Sequence, residues 1–278
     1  MTVFPSPRPD ILCPMTKPDM EPEITRRQFK RYASLDSVRH RRDEGIFVAE
    51  GTKCVLDLMR AFPPEAVYAD AAWAADHPEA GASVVSRATL RELTRLSATP
   101  PVVAFLRLPG EHGLLPDDPS AFVIVLDRVQ DPGNLGTIIR TADWMGVDTI
   151  VASPDTVDAF NPKTVQATMG SLARVRVIYT PLEPFLKARR DAGITIYGTF
   201  LGGENLYTTA MAGGGAVVMG NEGSGISPQI EALVTKRITI PSPPGTEPSA
   251  ESLNVAVATA LVLARRAQCI FDNGKNQG

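Results

Sequence analysis

The chain contains few cysteines and histidines and has no long apolar run. Its 278 residues include three cysteines, Cys13, Cys54 and Cys269, which are widely separated and show no CxxC spacing. This set predicts neither a disulfide framework nor a zinc site, and the three scattered histidines form no ligand cluster, so we expect no metal centre. No segment is apolar over the length needed to span a bilayer, and the first residues lack the apolar core of a signal peptide. We therefore expect a soluble, cytoplasmic protein with no membrane partner.

An excess of charge of one sign is also missing. The formal net charge is −3, which excludes a positive field over the whole surface, so nucleic-acid binding would require a local patch. Residues 25–42 contain such a patch, and their pattern predicts a single basic helix that ends at Gly45. The candidate contacts to nucleic acid are Arg26, Arg27, Lys30, Arg31, Arg39, Arg41 and Arg42. The alternative is a solvated helix face that binds nothing.

Composition divides the chain into four parts. Residues 1–23 are rich in proline, which favours extended backbone, so we predict a disordered tail. Residues 24–108 alternate short helical and strand patterns and predict a small α/β domain. Residues 109–119 combine glycines, prolines and aspartates and predict a linker. Residues 120–278 predict a second, larger α/β domain.

Predicted strands alternate with helices in both domains. In the smaller domain we predict strands at residues 46–49, 67–69, 83–86 and 102–106 and further helices at residues 51–62 and 88–96. In the larger domain we predict strands at residues 122–126, 149–152, 175–178, 194–197, 216–219 and 238–240, and a last helix at residues 253–270. Short, almost continuously apolar strands between helices are typical of a parallel sheet that is covered on both faces.

The first candidate site segment joins a predicted strand to a helix. Pro132 and Gly133 form a turn, and Asn134 is predicted to be the helix N-cap. Arg140 lies off the apolar face of this helix, and its side chain would lean back toward the N-terminus and Asn134. A cap amide, exposed N–H groups and an arginine together favour binding of a phosphate or another anion. The alternative is an ordinary cap and a solvated arginine.

The second segment is a glycine-rich loop, residues 220–225, that follows a predicted strand. Its glycines allow close approach of the backbone to a ligand. It is not a Walker A motif, because Ile226 stands at the lysine position, and it is not a dinucleotide fingerprint, because Pro228 stands at the third glycine. Glu222 would repel a bare phosphate and suits a ligand with a hydroxyl, an amine or a positive charge. The alternative is a tight turn with an exposed glutamate.

The third segment, residues 252–255, follows a proline-rich loop at residues 241–251. Ser252 is predicted to be the N-cap of the last helix. Asn254 is predicted to lie inside the first turn, where leucine or alanine would favour the helix more. Helix capping alone would explain Ser252 but explains Asn254 less well.

Taken together, the three segments resemble the SpoU class of SPOUT RNA methyltransferases over residues 122–270. The spacing of Asn134 and Arg140, the Gly-Asn-Glu-Gly-x-Gly loop and the Ser-Leu-Asn-Val segment follow the order of the family motifs. Residues 47–51 look like part of the substrate-binding domain found before many members, which resembles a ribosomal-protein RNA-binding fold.

The resemblance implies a fold, an activity and a site. The fold is an α/β domain with a deep trefoil knot, and the active form is a homodimer whose subunits both contribute active-site residues. The activity is S-adenosylmethionine-dependent methylation of a ribose 2′-hydroxyl in structured RNA, with ribosomal RNA favoured over tRNA. The implied catalytic residues are Asn134, Arg140, Glu222, Ser252 and Asn254, and the implied cofactor-binding residues are Thr199, Gly220, Ile240 and Leu253. The resemblance also implies that the basic side chains within residues 25–42 contact the RNA.

Two positions depart from the family pattern. Ala256 replaces a common serine or threonine, which removes one possible hydrogen bond. Residues 241–251 form a longer and more proline-rich loop than usual, which affects the expected cofactor affinity or RNA path. Neither departure removes a residue of the implied catalytic set.

Arg140 is the residue on which we expect activity to depend most. The family is often described with this arginine as a base that a substrate phosphate assists. A guanidinium normally stays protonated, so we favour a role in holding the phosphate and stabilising the developing alkoxide.

Two other classes of function compete with this interpretation. A non-catalytic RNA-binding or ribosome-assembly protein on the same fold would have no need for the full polar set of Asn134, Arg140, Glu222 and Asn254. A nucleotide-binding enzyme of the doubly wound class would need a phosphate loop, and both phosphate-loop patterns fail. S-adenosylmethionine binding would separate the methyltransferase from both alternatives.

Overall fold

The computed structural model describes residues 24–110, 115, 118, 120–211, 213–245 and 250–275. The predicted tail and most of the predicted linker lie outside the described residues. Within the described part of the chain, no helix is long and apolar enough to cross a membrane.

The first sheet has four strands in the order β1-β4-β2-β3. Its strands are β1 (Ile46–Glu50), β2 (Pro64–Ala69), β3 (Ser83–Val84) and β4 (Val102–Arg107). Its helices are α1 (Arg26–Ala33), α2 (Val38–Glu44), α3 (Thr52–Met59), α4 (Ala71–Asp76) and α5 (Arg87–Leu93), with 3-10 turns at Ser34–Asp36 and Pro78–Ala80. β4 is an inner strand because it pairs antiparallel with both β1 and β2, and its first five residues are buried.

The prediction of one basic helix over residues 25–42 is wrong at its centre. The chain leaves α1 through the 3-10 turn Ser34–Asp36 and starts α2 after Ser37. Ser34 Oγ donates to the carbonyl of Arg31 at 2.7 Å, and short polar side chains of this kind compete with helix continuation. Gly45 ends α2 in the left-handed conformation at φ 66°, as predicted from its position.

The second sheet has six strands in the order β10-β8-β9-β5-β6-β7, and all its strand pairs are parallel. The strands are β5 (Val123–Leu126), β6 (Thr149–Ala152), β7 (Arg176–Tyr179), β8 (Ile196–Asn205), β9 (Ala216–Met219) and β10 (Lys236–Thr239). The helices are α6 (Pro132–Trp144), α7 (Pro162–Thr168), α8 (Leu182–Asp191), α9 (Pro228–Glu231) and α10 (Val255–Lys275), with a 3-10 turn at Ser171–Ala173. The predicted α/β class and parallel sheet are confirmed.

The six-stranded sheet is covered on both faces. Ile124 and Leu126 of β5 belong to one buried cluster with helices α6 and α10, whereas Val123 and Val125 belong to another with α8 and α9. This alternation follows from the two-residue period of a strand, and it explains why the sequence of β5 is apolar throughout. The trefoil knot that the family resemblance implies stays a prediction.

The two sheets share one hydrophobic core. Phe47 of β1 and the aromatic ring of Phe62 pack on Phe160, which follows β6, with ring centroids 4.8 and 5.8 Å from it. Next to them, Arg41 of α2 is 1% exposed, and its Nε donates to Asp158 Oδ2 at 3.0 Å. Its Nη1 donates to the carbonyls of residues 35 and 36 at 2.6 and 3.0 Å. The smaller α/β unit is therefore fixed on the larger one by apolar contact and a buried ion pair.

Candidate active site

The glycine-rich loop, the end of β10 and the start of α10 surround a cavity of about 520 Å³. All four predicted cofactor-binding residues line it, namely Thr199, Gly220, Ile240 and Leu253, together with the predicted catalytic residues Glu222 and Ser252. The cavity lies at the carboxyl ends of parallel strands, where ligand sites of α/β sheets commonly form. The structure thus brings together predicted cofactor-binding residues that are up to 54 positions apart, since the outermost of them are Thr199 and Leu253.

The glycine-rich loop is held closed by its own backbone. The N–H of Asn221 donates to the carbonyl of Gly225 at 3.0 Å, and the reverse hydrogen bond is also 3.0 Å. Asn221 Oδ1 accepts hydrogen bonds from the amides of Gly223 and Ser224, both at 3.0 Å. A Cβ on Gly220 would lie 2.3 Å from backbone atoms of Gly225 and Ile226, so only glycine fits at position 220.

Gly220→Ala is expected to destabilise the protein by about 1–3 kcal/mol, the usual cost of forcing an extra carbon into packed backbone. The atoms that its Cβ would meet are main-chain atoms, which cannot rotate away. Gly223→Ala is the matched control, because its Cβ would meet nothing closer than Asn221 Oδ1 at 3.7 Å. Urea unfolding midpoints measure both variants, and equal midpoints would contradict the close approach at Gly220.

Three side chains from the three sequence segments form one hydrogen-bonded chain. Asn254 Nδ2 donates to Asn134 Oδ1 at 2.8 Å. Asn134 Nδ2 donates in turn to Glu222 Oε1 at 2.9 Å. Glu222 also accepts hydrogen bonds from the backbone amides of Gln130 and Asp131, both at 3.2 Å. This chain ties the starts of α6 and α10 to the glycine-rich loop.

The predicted helix caps are wrong at both helices. Asp131, not Asn134, caps α6, since its Oδ1 accepts the hydrogen bond of the Asn134 amide at 2.7 Å. The helix begins earlier than predicted because Pro132 occupies its first position, which suits the fixed φ of proline. Asn254, not Ser252, caps α10, since its Oδ1 accepts from the amide of Ala256 at 2.9 Å. These shifts leave the Asn134 side chain available for Glu222 and Asn254.

The Glu222 carboxylate is stabilised in its ionised form. Burial alone would raise its pKa, but hydrogen bonds from the Asn134 side chain, from its own amide and from the amides of Gln130 and Asp131 outweigh burial and lower the pKa. A lowered pKa in the folded state adds stability that is fully present above the ordinary glutamate pKa. That stability is lost as the pH falls through the lowered value. The hydrogen bonds that join Asn254, Asn134 and Glu222 therefore stay intact around neutral pH.

Arg140 is not part of this hydrogen-bonded chain. It lies on the exposed face of α6 and has no hydrogen-bond or ion-pair partner among the described residues. The predicted contact between Asn134 and Arg140 is absent, because Glu222 and Asn254 occupy both ends of the Asn134 amide. Arg140 also does not line the cavity. Its guanidinium is therefore free to meet a ligand outside the cavity.

The basic residues of α1 and α2 divide into two groups. Exposed on the surface are Arg26, Arg27, Lys30, Arg39 and Arg42. The prediction of an RNA contact is wrong for Arg41, because burial and its bond to Asp158 remove it from the surface. Arg31 is engaged by two acidic residues, with Nε 2.5 Å from Glu44 and Nη1 3.1 Å from Glu65.

Sequence reasoning missed a second link between the β5 loop and the glycine-rich loop. Asp127 is 3% exposed and accepts hydrogen bonds from the Ser227 amide at 2.6 Å and from Arg128 Nε at 3.1 Å. Arg128 has a left-handed backbone at φ 61°, and its carbonyl accepts from Asn221 Nδ2 at 2.8 Å. The signal was available, since these charged residues directly follow an apolar strand beside the loop. Among the described residues no group of three or more potential metal ligands is present.

Comparison with known families identifies a match over the larger unit. The model of the SpoU rRNA Methylase family matches residues 121–264, slightly more than half of the chain. The chain is 37% identical over 142 residues to the 23S rRNA (guanosine(2553)-2′-O)-methyltransferase RlmP of Bacillus subtilis. That alignment covers 51% of the chain and 56% of RlmP, so the chain spans little more than half the length of this relative.

Solved structures resemble nearly the whole chain. One is a Porphyromonas gingivalis protein assigned to the TrmH family of RNA methyltransferases, with 34% identity and a TM-score of 0.76 over 87% of this chain and 98% of that one. Another is the SpoU methyltransferase AviRb of Streptomyces viridochromogenes in complex with AdoMet, with 25% identity and a TM-score of 0.77 over 89% and 99%.

Proposed function

The chain belongs to the SpoU rRNA methylase family, and we propose that it methylates a ribose 2′-hydroxyl of ribosomal RNA with S-adenosylmethionine as methyl donor. The observation that carries this proposal is the chain of hydrogen bonds from Asn254 through Asn134 to Glu222 beside the cavity. A protein that only bound RNA would not need these three distant polar side chains in one connected arrangement.

The cavity residues fit S-adenosylmethionine. Gly220 contributes backbone to the cavity wall, and Ile240 and Leu253 offer apolar walls. The volume of about 520 Å³ falls within the range of pockets that hold small molecules. Glu222 on the cavity wall is compatible with the positive charge of a sulfonium. When bound, the cofactor supplies an electrophilic methyl group, which the 2′-oxygen accepts as it loses its proton.

Arg140 is the proposed contact to the RNA backbone. A guanidinium can hold a phosphate with two parallel hydrogen bonds while it stabilises charge that develops on the 2′-oxygen. Asn134, Glu222 and Asn254 fix the start of α6, the helix that carries Arg140. Ser252 lies at the cavity wall.

The active form in this proposal is a homodimer that buries the end of α6 at Trp144 and the outer face of α10. Trp144 at the end of α6 is 87% exposed, and on α10 Val257 and Phe271 are 50% and 70% exposed. Val257 and Phe271 are 14 positions apart, close to four helical turns, so they lie on one side of α10. Exposed apolar residues of this size favour a protein partner.

Sedimentation velocity should give the mass of two chains, and a monomer would refute this part of the proposal.

Incubation with tritiated S-adenosylmethionine and total RNA tests the function directly. We expect label in ribosomal RNA, released after alkaline hydrolysis as a dinucleotide, because a methylated 2′-oxygen blocks cleavage. Label in tRNA alone would overturn the choice of substrate. Absence of both label and calorimetric cofactor binding would overturn the enzyme assignment and favour an RNA-binding protein on the same fold.

A further inference from the structure

A second cavity of about 630 Å³ lies between the two units. It borders β7, whereas the first cavity borders β8 and β10, so the two cavities lie at opposite edges of the six-stranded sheet. Its walls come from the ends of α2, α3 and β4 on one side and from residues 158–179 on the other. Nothing in the proposed chemistry uses this interdomain cleft.

The interior of the interdomain cleft is apolar and partly aromatic. Phe62, Phe160, Leu172 and Val175 contribute to its walls. The Tyr179 hydroxyl donates to the carbonyl of residue 157 and accepts from the amide of residue 159, both at 2.7 Å. Because both functions of that hydroxyl are used, Tyr179 offers an aromatic surface rather than a polar group. Flat apolar surfaces of this kind suit a nucleobase, which has a π-face of similar size.

Strand β7 adds hydrogen-bonding groups to the interdomain cleft. Its even-numbered amides point to β6, since the N–H of Arg176 donates to residue 148 at 2.8 Å and the N–H of Thr180 donates to residue 152 at 3.0 Å. The amides of Val177 and Tyr179 therefore point to the outer edge, where no described strand pairs with them. The unpaired edge of a strand presents a row of backbone hydrogen-bond donors and acceptors. The donors and acceptors on the edge of a nucleobase can pair with such groups.

The charges around the interdomain cleft favour an anion. Four arginines and one aspartate line it. Arg41 is neutralised by Asp158, and Arg174 is held by Asp143, with Nη2 2.7 Å from Oδ2. Arg42 is exposed and has no ion-pair or hydrogen-bond partner among the described residues. A cation without a partner at the mouth of an apolar cavity is suited to a phosphate next to a buried base.

We propose that the interdomain cleft binds one unpaired nucleotide of the RNA substrate, with its base against Phe160 and Tyr179 and its phosphate on Arg42. This inference rests on RNA being the substrate, as in the proposed function. The nucleotide must be unpaired, because a base within a helix cannot enter a cavity. A peptide strand fits less well, because the open edge of β7 spans four residues and the free charge is positive.

Photo-crosslinking and binding measurements test the interdomain cleft without reference to methylation. Ribosomal RNA transcribed with 4-thiouridine is irradiated with the full chain, and the attached peptides are mapped by mass spectrometry. We expect crosslinks within residues 158–179, reduced at least about fivefold in Arg42→Ala. We also expect Arg42→Ala to weaken RNA binding about tenfold, since a hydrogen-bonded ion contact contributes roughly that much. Arg60→Ala is the matched control, because Arg60 is exposed near the cleft wall but does not line it.

Two results would overturn the inference. Crosslinks confined to α1 and the exposed part of α2 would assign Arg42 to the open basic face. Equal RNA affinity of the Arg42→Ala and Arg60→Ala variants would show that the charge of Arg42 does not contribute to RNA binding. If methylation fails while the crosslink forms, only the proposed function is wrong.

Discussion

Arg140→Ala is expected to lower methyl transfer by about 100- to 1000-fold, the usual effect of losing one group that stabilises developing negative charge. The variant should fold and bind S-adenosylmethionine as the wild type does, because Arg140 is exposed, has no partner among the described residues and does not line the cavity. Single-turnover methylation of ribosomal RNA measures the first expectation. Calorimetry and thermal unfolding measure the other two.

Arg140→Lys distinguishes charge from geometry. A lysine keeps the positive charge but cannot hold a phosphate through two parallel hydrogen bonds, so we expect activity between that of the wild type and that of Arg140→Ala. Near-normal activity of Arg140→Ala would refute the role of Arg140. Lost activity together with lost cofactor affinity would place the defect in the cavity and not at the RNA phosphate.

Arg41→Ala is expected to reduce the free energy of unfolding by about 3–5 kcal/mol, the typical cost of removing one partner of a buried ion pair. The substitution leaves the carboxylate of Asp158 without its main cation and removes the hydrogen bonds to two carbonyls of the turn before α2. The effect should appear as a lower midpoint in urea unfolding monitored by circular dichroism.

Arg42→Ala is the matched control, because it removes the same charge from the next position of the same helix. Arg42 is exposed, so the change in unfolding free energy should stay within about 0.5 kcal/mol. The double variant Arg41→Met with Asp158→Leu should recover part of the stability, since an apolar pair of similar volume often replaces a buried ion pair without loss. A normal midpoint for Arg41→Ala would mean that the interface does not depend on this pair.

The strands that are buried on both faces were predictable, because such burial demands continuous apolar runs. Residues 122–126 and 216–219 read as buried strands and form β5 and β9. β8 is longer than predicted, because it continues over residues 198–205, of which Glu204 and Asn205 pair with β10 after a register shift. That extension contains three glycines and depends on a partner strand, so no local pattern indicates it.

The sequence predicted which residues of the hydrogen-bonded chain lie close together, but not the hydrogen bonds between them. Motif order placed Asn134, Glu222 and Asn254 together, and the hydrogen bonds confirm their proximity. The caps were misplaced by a few residues, since several polar residues near each helix start are plausible caps. The ion pair between Arg41 and Asp158 joins positions 117 residues apart, and a basic run in sequence gives no sign that one of its members is buried.

The apolar core that runs from Phe47 through Phe160 to the helices of the six-stranded sheet also determines how the protein unfolds. Two units that share side chains in one cluster cannot lose order independently, because unfolding either one exposes the packed surface of the other. Calorimetry should therefore record a single melting transition in place of the two that separate domains would give. If the smaller unit were grafted onto an unrelated protein, the apolar surface that it buries against the larger unit would be exposed. The smaller unit is therefore not an independently transferable domain.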